Sequence, residues 1–171
     1  MGADLTKAVL VGVQLAHTDF RASTLLDARF NTADLRGADF SQANAIGRLS
    51  LAGRAPRDRP VTFIAARLAG ARFDDSFLPG AKFQSADLRD TSFRNADLSG
   101  AKFDGACVTG ARFRGAVLAS ARLGAAGRNV DFGGAILRDA HTNRELFPAG
   151  WERTGNTFAR SASFARCSIR P

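Results

Sequence analysis

Val61-Thr62-Phe63-Ile64-Ala65, Ala66-Arg67-Leu68-Ala69-Gly70, Ala71-Arg72-Phe73-Asp74-Asp75: from Val61 to Ala125 the chain divides into fives without a slip. The third residue of every five is large and apolar, namely Phe63, Leu68, Phe73, Leu78, Phe83, Leu88, Phe93, Leu98, Phe103, Val108, Phe113, Leu118 and Leu123. Two places before each stands a small residue, Ala in ten of the thirteen cases and Val, Ser or Thr in the others. A helix repeats its apolar face near every 3.6 residues and a half-buried strand every 2, so a period of five belongs to neither. A fixed short period sustained over this length marks a repeat architecture, in which each unit buries its apolar face by stacking on the next.

Working outward, the same step runs back to the start of the chain. Leu5, Leu10, Leu15, Phe20, Leu25, Phe30, Leu35 and Phe40 follow it, with Ala3, Ala8, Val13, Thr18, Ser23, Ala28, Ala33 and Ala38 as small partners. Met1-Gly2-Ala3-Asp4-Leu5-Thr6 fits an acylation pattern and Ala8 to Ala16 a short signal core, but the repeat runs through both and explains both. After Ala45 the period breaks and resumes at Phe63. The Gly- and Pro-containing residues between, about 46–61, read as an inserted loop. Phe falls on alternate fives throughout, which sets the register: Ala45 closes one position, Phe63 takes the next, and about 13 residues bulge out between them. Past Leu123 the step shortens, since Phe132 follows after nine residues, and Leu137 ends the regular pattern.

Ala86-Asp87-Leu88-Arg89-Asp90 and Ala96-Asp97-Leu98-Ser99-Gly100 resemble the consensus of the pentapeptide-repeat family, A-[DN]-[LF]-x-x. The resemblance implies an all-β fold, a right-handed quadrilateral β-helix with four fives per square coil. In that fold the central and small residues point inward and the other three positions face solvent. The expected organisation is a β-helix over 1–139, with the inserted loop, and a C-terminal cap and basic tail over 140–171. The run from Ala140 to Trp151 resembles the ending of many family members, which implies that Phe147 and Trp151 cover the open core there. Phe158, Phe164 and Ile169 could give the last stretch a strand-like character.

Composition narrows the chemistry. The chain has 14 Phe, no Tyr and one Trp, as expected where stacked apolar rings leave no place for a buried hydroxyl. Net charge is +8, but the loop and the tail hold most of it, and the repeats are close to neutral. Cys107 and Cys167 have no CxxC neighbour, and Cys107 occupies an outward position, so two free thiols in a reducing cytoplasm are expected. No run approaches the roughly 18 apolar residues of a membrane span, and a soluble, cytoplasmic protein with no membrane partner is the expectation. His17 and His141 have no nucleophilic or acidic partner at a recognisable spacing. Gly100, Gly105, Gly110 and Gly115 recur as corner residues without the strand–loop–helix setting of a phosphate loop. Asp87, Asp97, Asp104 and Asp131 follow the repeat rather than pairing as acid and base. An enzyme is not expected, nor a cofactor or metal.

Binding is the remaining class, since solenoids work as extended surfaces. The first reading is a non-catalytic protein-interaction scaffold with three candidate surfaces. One is the loop, with Arg48, Leu49, Leu51, Arg54, Arg57 and Arg59; another is the C-terminal end. The third is a set of basic columns on the faces that carry Phe. Lys82, Lys102 and Arg122 stack on one such face, and Arg72, Arg94, Arg112, Arg114 and Arg138 are expected on the other, relieved by Asp74 and Asp75. Phe77 and Val117 add a small outward apolar patch. A second reading comes from the resemblance: the Qnr and Mfp groups of the family bind DNA gyrase, imitate duplex DNA and give resistance to topoisomerase poisons. Their acidic surfaces are missing here, so a loop-mediated gyrase contact is open to this chain and DNA mimicry is not. A third reading is non-specific binding of nucleic acid or another anionic partner, without outward aromatic residues for bases to stack on. Finally, the first coil has no cap, and its unpaired edge suggests cover by another chain or a homodimer through that end.

Overall fold

Each five supplies one wall and one corner of a square coil. The structure, a computed structural model, describes residues 2–45, 60–127, 129–142, 157–158 and 161–162. The residue before each central position pairs in parallel with the one a coil later, as in Asp4 with Thr24, Val9 with Arg29, Gln14 with Asp34 and Asp19 with Asp39. The first wall is centred on Leu25, Ala45, Leu78, Leu98 and Leu118, and the second on Phe30, Phe63, Phe83 and Phe103. The third is centred on Leu35, Leu68, Leu88 and Val108, and the fourth on Phe40, Phe73, Phe93 and Phe113. First and third walls are opposite each other, as are second and fourth. Most corners close with a hydrogen bond from the next small residue, such as the Ala86 N–H to the Phe83 carbonyl at 3.1 Å. The residue before that donor is left-handed, as in Ser85 with φ 58°, which is the third position of a type II turn. Glycine takes this position without strain, and at Gly110 (φ +70°) a Cβ would also stand 2.2 Å from Asp90 Oδ1.

The core is two facing columns of Phe. Phe30, Phe63, Phe83 and Phe103 stack with centroids 5.1–5.2 Å apart and planes within 10°. Phe20, Phe40, Phe73, Phe93, Phe113 and Phe132 form the other column at 4.7–5.1 Å. Rings from the two columns meet edge to face, as Phe83 and Phe93 do at 5.5 Å and 82°. Both arrangements suit the ring quadrupole, and the stacking of identical positions repeats them coil after coil. The small inward residues fill the space beside the rings. Where one is polar it must find a carbonyl: Ser76 Oγ donates to Phe73 O at 2.7 Å and Thr91 Oγ1 to Leu68 O at 2.9 Å. Ser23 is fully buried and its Oγ has no partner among the described residues. Replacing it with the Ala of the other repeats should raise stability by about 1 kcal/mol. A thermal melt of Ser23→Ala checks this, and a lowered midpoint would show that the hydroxyl is satisfied in solution.

Pairing across the insertion has the register expected from the Phe alternation. Arg29 pairs with Thr62, a step of 33 where 20 is usual, Phe30 stacks on Phe63, and the Ala45 N–H donates to Phe77 O. The short step after Leu123 is also placed: Lys102 pairs with Arg122 twenty residues on, whereas Cys107 pairs with Ala126 after nineteen. At the N-terminal end Leu5, Leu10, Val13 and Leu15 are only partly buried.

At the other end the pairing changes character. β1 (Arg122–Leu123) pairs in parallel with β4 (His141–Thr142), which carries the ladder past residue 140. β2 (Val130–Asp131) and β3 (Ala135–Ile136) pair antiparallel with β6 (Ser161–Ala162) and β5 (Thr157–Phe158). A stretch of the tail therefore runs backwards along two walls of the last coil and occupies an edge that would otherwise stay open. Phe147 and Trp151, expected to cover the core, lie outside the described residues, as do the loop residues Arg48, Leu49, Leu51, Arg54, Arg57 and Arg59.

Two expectations are corrected. Arg138 was assigned to the fourth wall, but its carbonyl accepts from the Ser120 N–H and it follows Leu137, which belongs to the first wall, opposite the third and beside the fourth. Leu137 stands five residues past Phe132 of the fourth wall, which by the five-residue step is the next wall on. Cys107 was expected to be an exposed free thiol. It is 2% exposed and disulfide-bonded, while the chain's other cysteine, Cys167, lies outside the described residues. Its backbone position does face out of the wall, but that direction does not reveal what else covers the wall. Disulfides persist in oxidising compartments, and the cytoplasmic expectation loses the support of free thiols. Among the described residues no helix is long and apolar enough to cross a membrane.

Candidate interaction surface

The Asp of the repeat has a local structural task. Its carboxylate accepts the backbone N–H two residues later, at the corner: Asp19 from Arg21, Asp39 from Ser41, Asp97 from Ser99 and Asp131 from Gly133, all at 2.9–3.0 Å. When the residue at the corner is Arg, the same carboxylate also takes its guanidinium. Arg36 Nη2 lies 2.6 Å from Asp34 Oδ2, and Arg89 Nη2 lies 2.6 Å from Asp87 Oδ2. The Arg36 guanidinium, with help from the corner N–H and Arg67, holds the Asp34 carboxyl below the ordinary carboxylate range against the opposing effect of burial. Asp19, hydrogen-bonded by Arg21, is lowered to about 2. These are carboxylates kept ionised, the reverse of what a general acid needs.

The basic columns differ between walls. On the second wall Thr62 pairs with Lys82, Lys82 with Lys102 and Lys102 with Arg122, so the three cations are neighbours at strand spacing, about 4.8 Å. Arg29 stands one coil below Thr62, and His141 pairs above Arg122. Arg122 reaches Asp104 at 3.3 Å. Lys82 and Lys102 have no carboxylate within salt-bridge distance among the described residues. Two buried polar atoms on the same wall, Thr62 Oγ1 and Gln84 Oε1, also lack hydrogen-bond partners there. The inserted residues leave after Ala45 and rejoin before Thr62, at the foot of this column.

The opposite, fourth wall is interrupted. Arg72 is followed by Ser92 and then Arg112, with Arg94 and Arg114 at the corner positions beside them. Arg72 pairs with Asp74 at 3.2 Å and reaches Asp39 at 3.9 Å. Asp74 also accepts the Arg94 N–H and the Ser92 hydroxyl, and Asp75 accepts from Asn95. The guanidinium groups of Arg94, Arg112 and Arg114 extend outward here without a carboxylate partner among the described residues. The two walls point in opposite directions, so one flat partner cannot use both. On the first wall Phe77 and Ile136 are each 39% exposed, with Asp97 and the half-buried Val117 between them in one column. Ile136 was missed in the sequence because it follows the short coil.

The profile of Pentapeptide repeats matches eight copies, over residues 1–37, 14–47, 62–100 and 96–126. The chain belongs to the pentapeptide-repeat family. With that membership the square solenoid is a right-handed β-helix. Solved pentapeptide-repeat structures resemble it in turn. One, from the Arabidopsis thaliana thylakoid lumen, is 32% identical over 60% of this chain and 66% of its own, with a TM-score of 0.45. HetL of the cyanobacterium Nostoc, involved in heterocyst differentiation regulation, is 29% identical over 88% and 64%, with a TM-score of 0.40. QnrB1, a plasmid-mediated fluoroquinolone resistance protein, is 20% identical over 84% and 76%, with a TM-score of 0.39. The chain spans just under two thirds of the length of the first two. No curated protein matches it in sequence. As a pentapeptide-repeat protein it has a family architecture that is generally non-catalytic and structural. Among its described residues no group of three or more His, Cys, Asp or Glu is placed to hold a metal.

Proposed function

We propose that this pentapeptide-repeat protein is a non-catalytic scaffold that binds another protein through a wall of its solenoid. The observation that carries the reading is the division of labour among its charges. The carboxylates of the repeat are engaged at the corners and with Arg side chains, while Lys82 and Lys102 are held on a rigid flat wall with no acidic partner among the described residues. A rigid solenoid keeps such a surface preorganised, which lowers the ordering cost of association. Photo-cross-linking from position 102 in the native cell, against position 114 on the opposite wall, tests it. A protein trapped from 102 and then reconstituted with the purified chain is the expected result. Recovery of nucleic acid alone would overturn it.

A gyrase contact through the loop is the alternative that family membership raises. DNA mimicry is not part of it, because the described residues hold fourteen Lys and Arg against thirteen Asp and no acidic wall. A gyrase supercoiling assay with a poison, run with the full chain and with a variant lacking 48–59, separates the two readings: loop-dependent protection supports the gyrase contact, and no effect at large excess removes it.

A further inference from the structure

We infer that the second wall is a docking strip for an acidic α-helix of the protein partner, laid along the solenoid axis. The inference rests on the scaffold reading and names its surface. Lys82, Lys102 and Arg122 are consecutive in the ladder, so their cations rise along the axis in steps of about 4.8 Å, reaching about 4.8 and 9.6 Å from the first. Carboxylates at positions i, i+3 and i+7 of a helix share one face and rise about 4.5 and 10.5 Å. The mismatch stays within about 1 Å across three pairs, less than the travel of a Lys side chain. An extended acidic strand presents same-side carboxylates about 6.7 Å apart and overshoots the third cation by about 4 Å.

Other features of the wall agree with an acidic helix. Lys82 and Lys102 repel each other without a carboxylate between them among the described residues, and an acidic stripe would relieve that repulsion. Arg122 already holds Asp104 at 3.3 Å, so this cation has the geometry to grip a carboxylate. A nucleic acid fits less well, because among the described residues no Phe or Trp stands at the outward positions of this wall for a base to stack on. The fourth wall is the weaker candidate, since Ser92 separates Arg72 from Arg112 and Asp74 and Gly133 bound the pair Arg94 and Arg114, so no three of its cations are consecutive in one row.

Fluorescence anisotropy on the full chain tests the strip with four labelled probes. One is an Ala-rich helical peptide with Glu at i, i+3, i+7 and i+10. The second has the same composition, interrupted by Pro and with Glu at every second residue. The third and fourth are single-stranded and duplex oligonucleotides. The helical peptide should bind at low salt at least about tenfold more tightly than the interrupted one. Lys82→Glu with Lys102→Glu should remove that binding, and Arg112→Glu with Arg114→Glu should change it by less than about twofold. Thermal melts matching the wild type establish that both pairs fold, and Lys82→Gln with Lys102→Gln should weaken binding to an intermediate degree. Equal affinity for the two peptides, a preference for either oligonucleotide, or an equal loss in the opposite-wall variant would each overturn the strip. A protein cross-linked from position 102 that binds K82E/K102E as tightly as wild type would also overturn it, while leaving the scaffold reading intact.

Discussion

Phe93→Ala should lower the stability of the β-helix by about 3–5 kcal/mol, one of the largest effects of a single substitution in the chain. Phe93 is fully buried and touches four rings: Phe73 at 5.0 Å and Phe113 at 4.9 Å in its own column, Phe83 at 5.5 Å and Phe103 at 6.0 Å across the core. Truncation loses the transfer free energy of the ring and leaves a cavity between coils whose spacing is set by backbone hydrogen bonds on all four walls. Those bonds, such as Phe93 N–H to Arg112 O at 2.7 Å, stop the walls from closing on the gap. For a chain of this length the loss corresponds to a fall in melting temperature of roughly 6–20 °C. Phe77→Ala, at a 39% exposed ring in the adjacent wall, should change stability by under about 0.5 kcal/mol. Comparable losses at the two positions would show that the inward assignment of the fourth wall is wrong.

Asp34→Ala should cost about 2 kcal/mol at neutral pH, and the cost should depend on pH in a defined direction. The Asp34 side chain is 3% exposed, lies 2.6 Å from Arg36 and 3.7 Å from Arg67, and accepts the corner N–H of Arg36 at 3.3 Å. Its removal leaves that N–H and two guanidinium groups without their acceptor. Because the folded-state pKa is depressed, chiefly by Arg36, the carboxylate's contribution is fully present above the ordinary Asp value of about 3.9. It is lost as pH falls through the lower folded value. The gap between wild type and Asp34→Ala, measured by denaturant melts, should therefore be constant from neutral pH to about 5 and narrow below about pH 4. Asp34→Asn keeps an oxygen for the corner N–H and should cost less. A gap that widened on acidification would mean that Asp34 is protonated in the folded state.

How much of this was readable beforehand follows from where the information lies. The five-residue step identified every inward residue of the two Phe columns, because each coil repeats the same local geometry and an inward position stays inward wherever the coil sits. The same logic carried the register across the insertion, since Phe63 could stack only on a wall that already held Phe30. It was misapplied at Arg138, which follows Leu137, one five beyond Phe132 and therefore on the first wall.

The Lys82–Lys102–Arg122 column was legible for the same reason as the core. On the opposite wall the relief of Arg72 by Asp74 was legible too, whereas its second carboxylate, Asp39, lies a coil away in space and 33 residues away in the chain. Ile136 was overlooked since its column is visible only once the short coil is counted.

The period and the inward set were written in the sequence, as consequences of short-range geometry repeated without change, and the square coil and stacking order followed from the family resemblance. What pairs with the last coil, and which side chains find partners on the walls, needed the folded chain. The burial of Cys107, the antiparallel strands Thr157–Phe158 and Ser161–Ala162, and the lack of a carboxylate beside Lys82 and Lys102 among the described residues belong to that second class. The strands depend on the tail meeting the last coil outside the repeat, where no periodic rule says which residues will face one another.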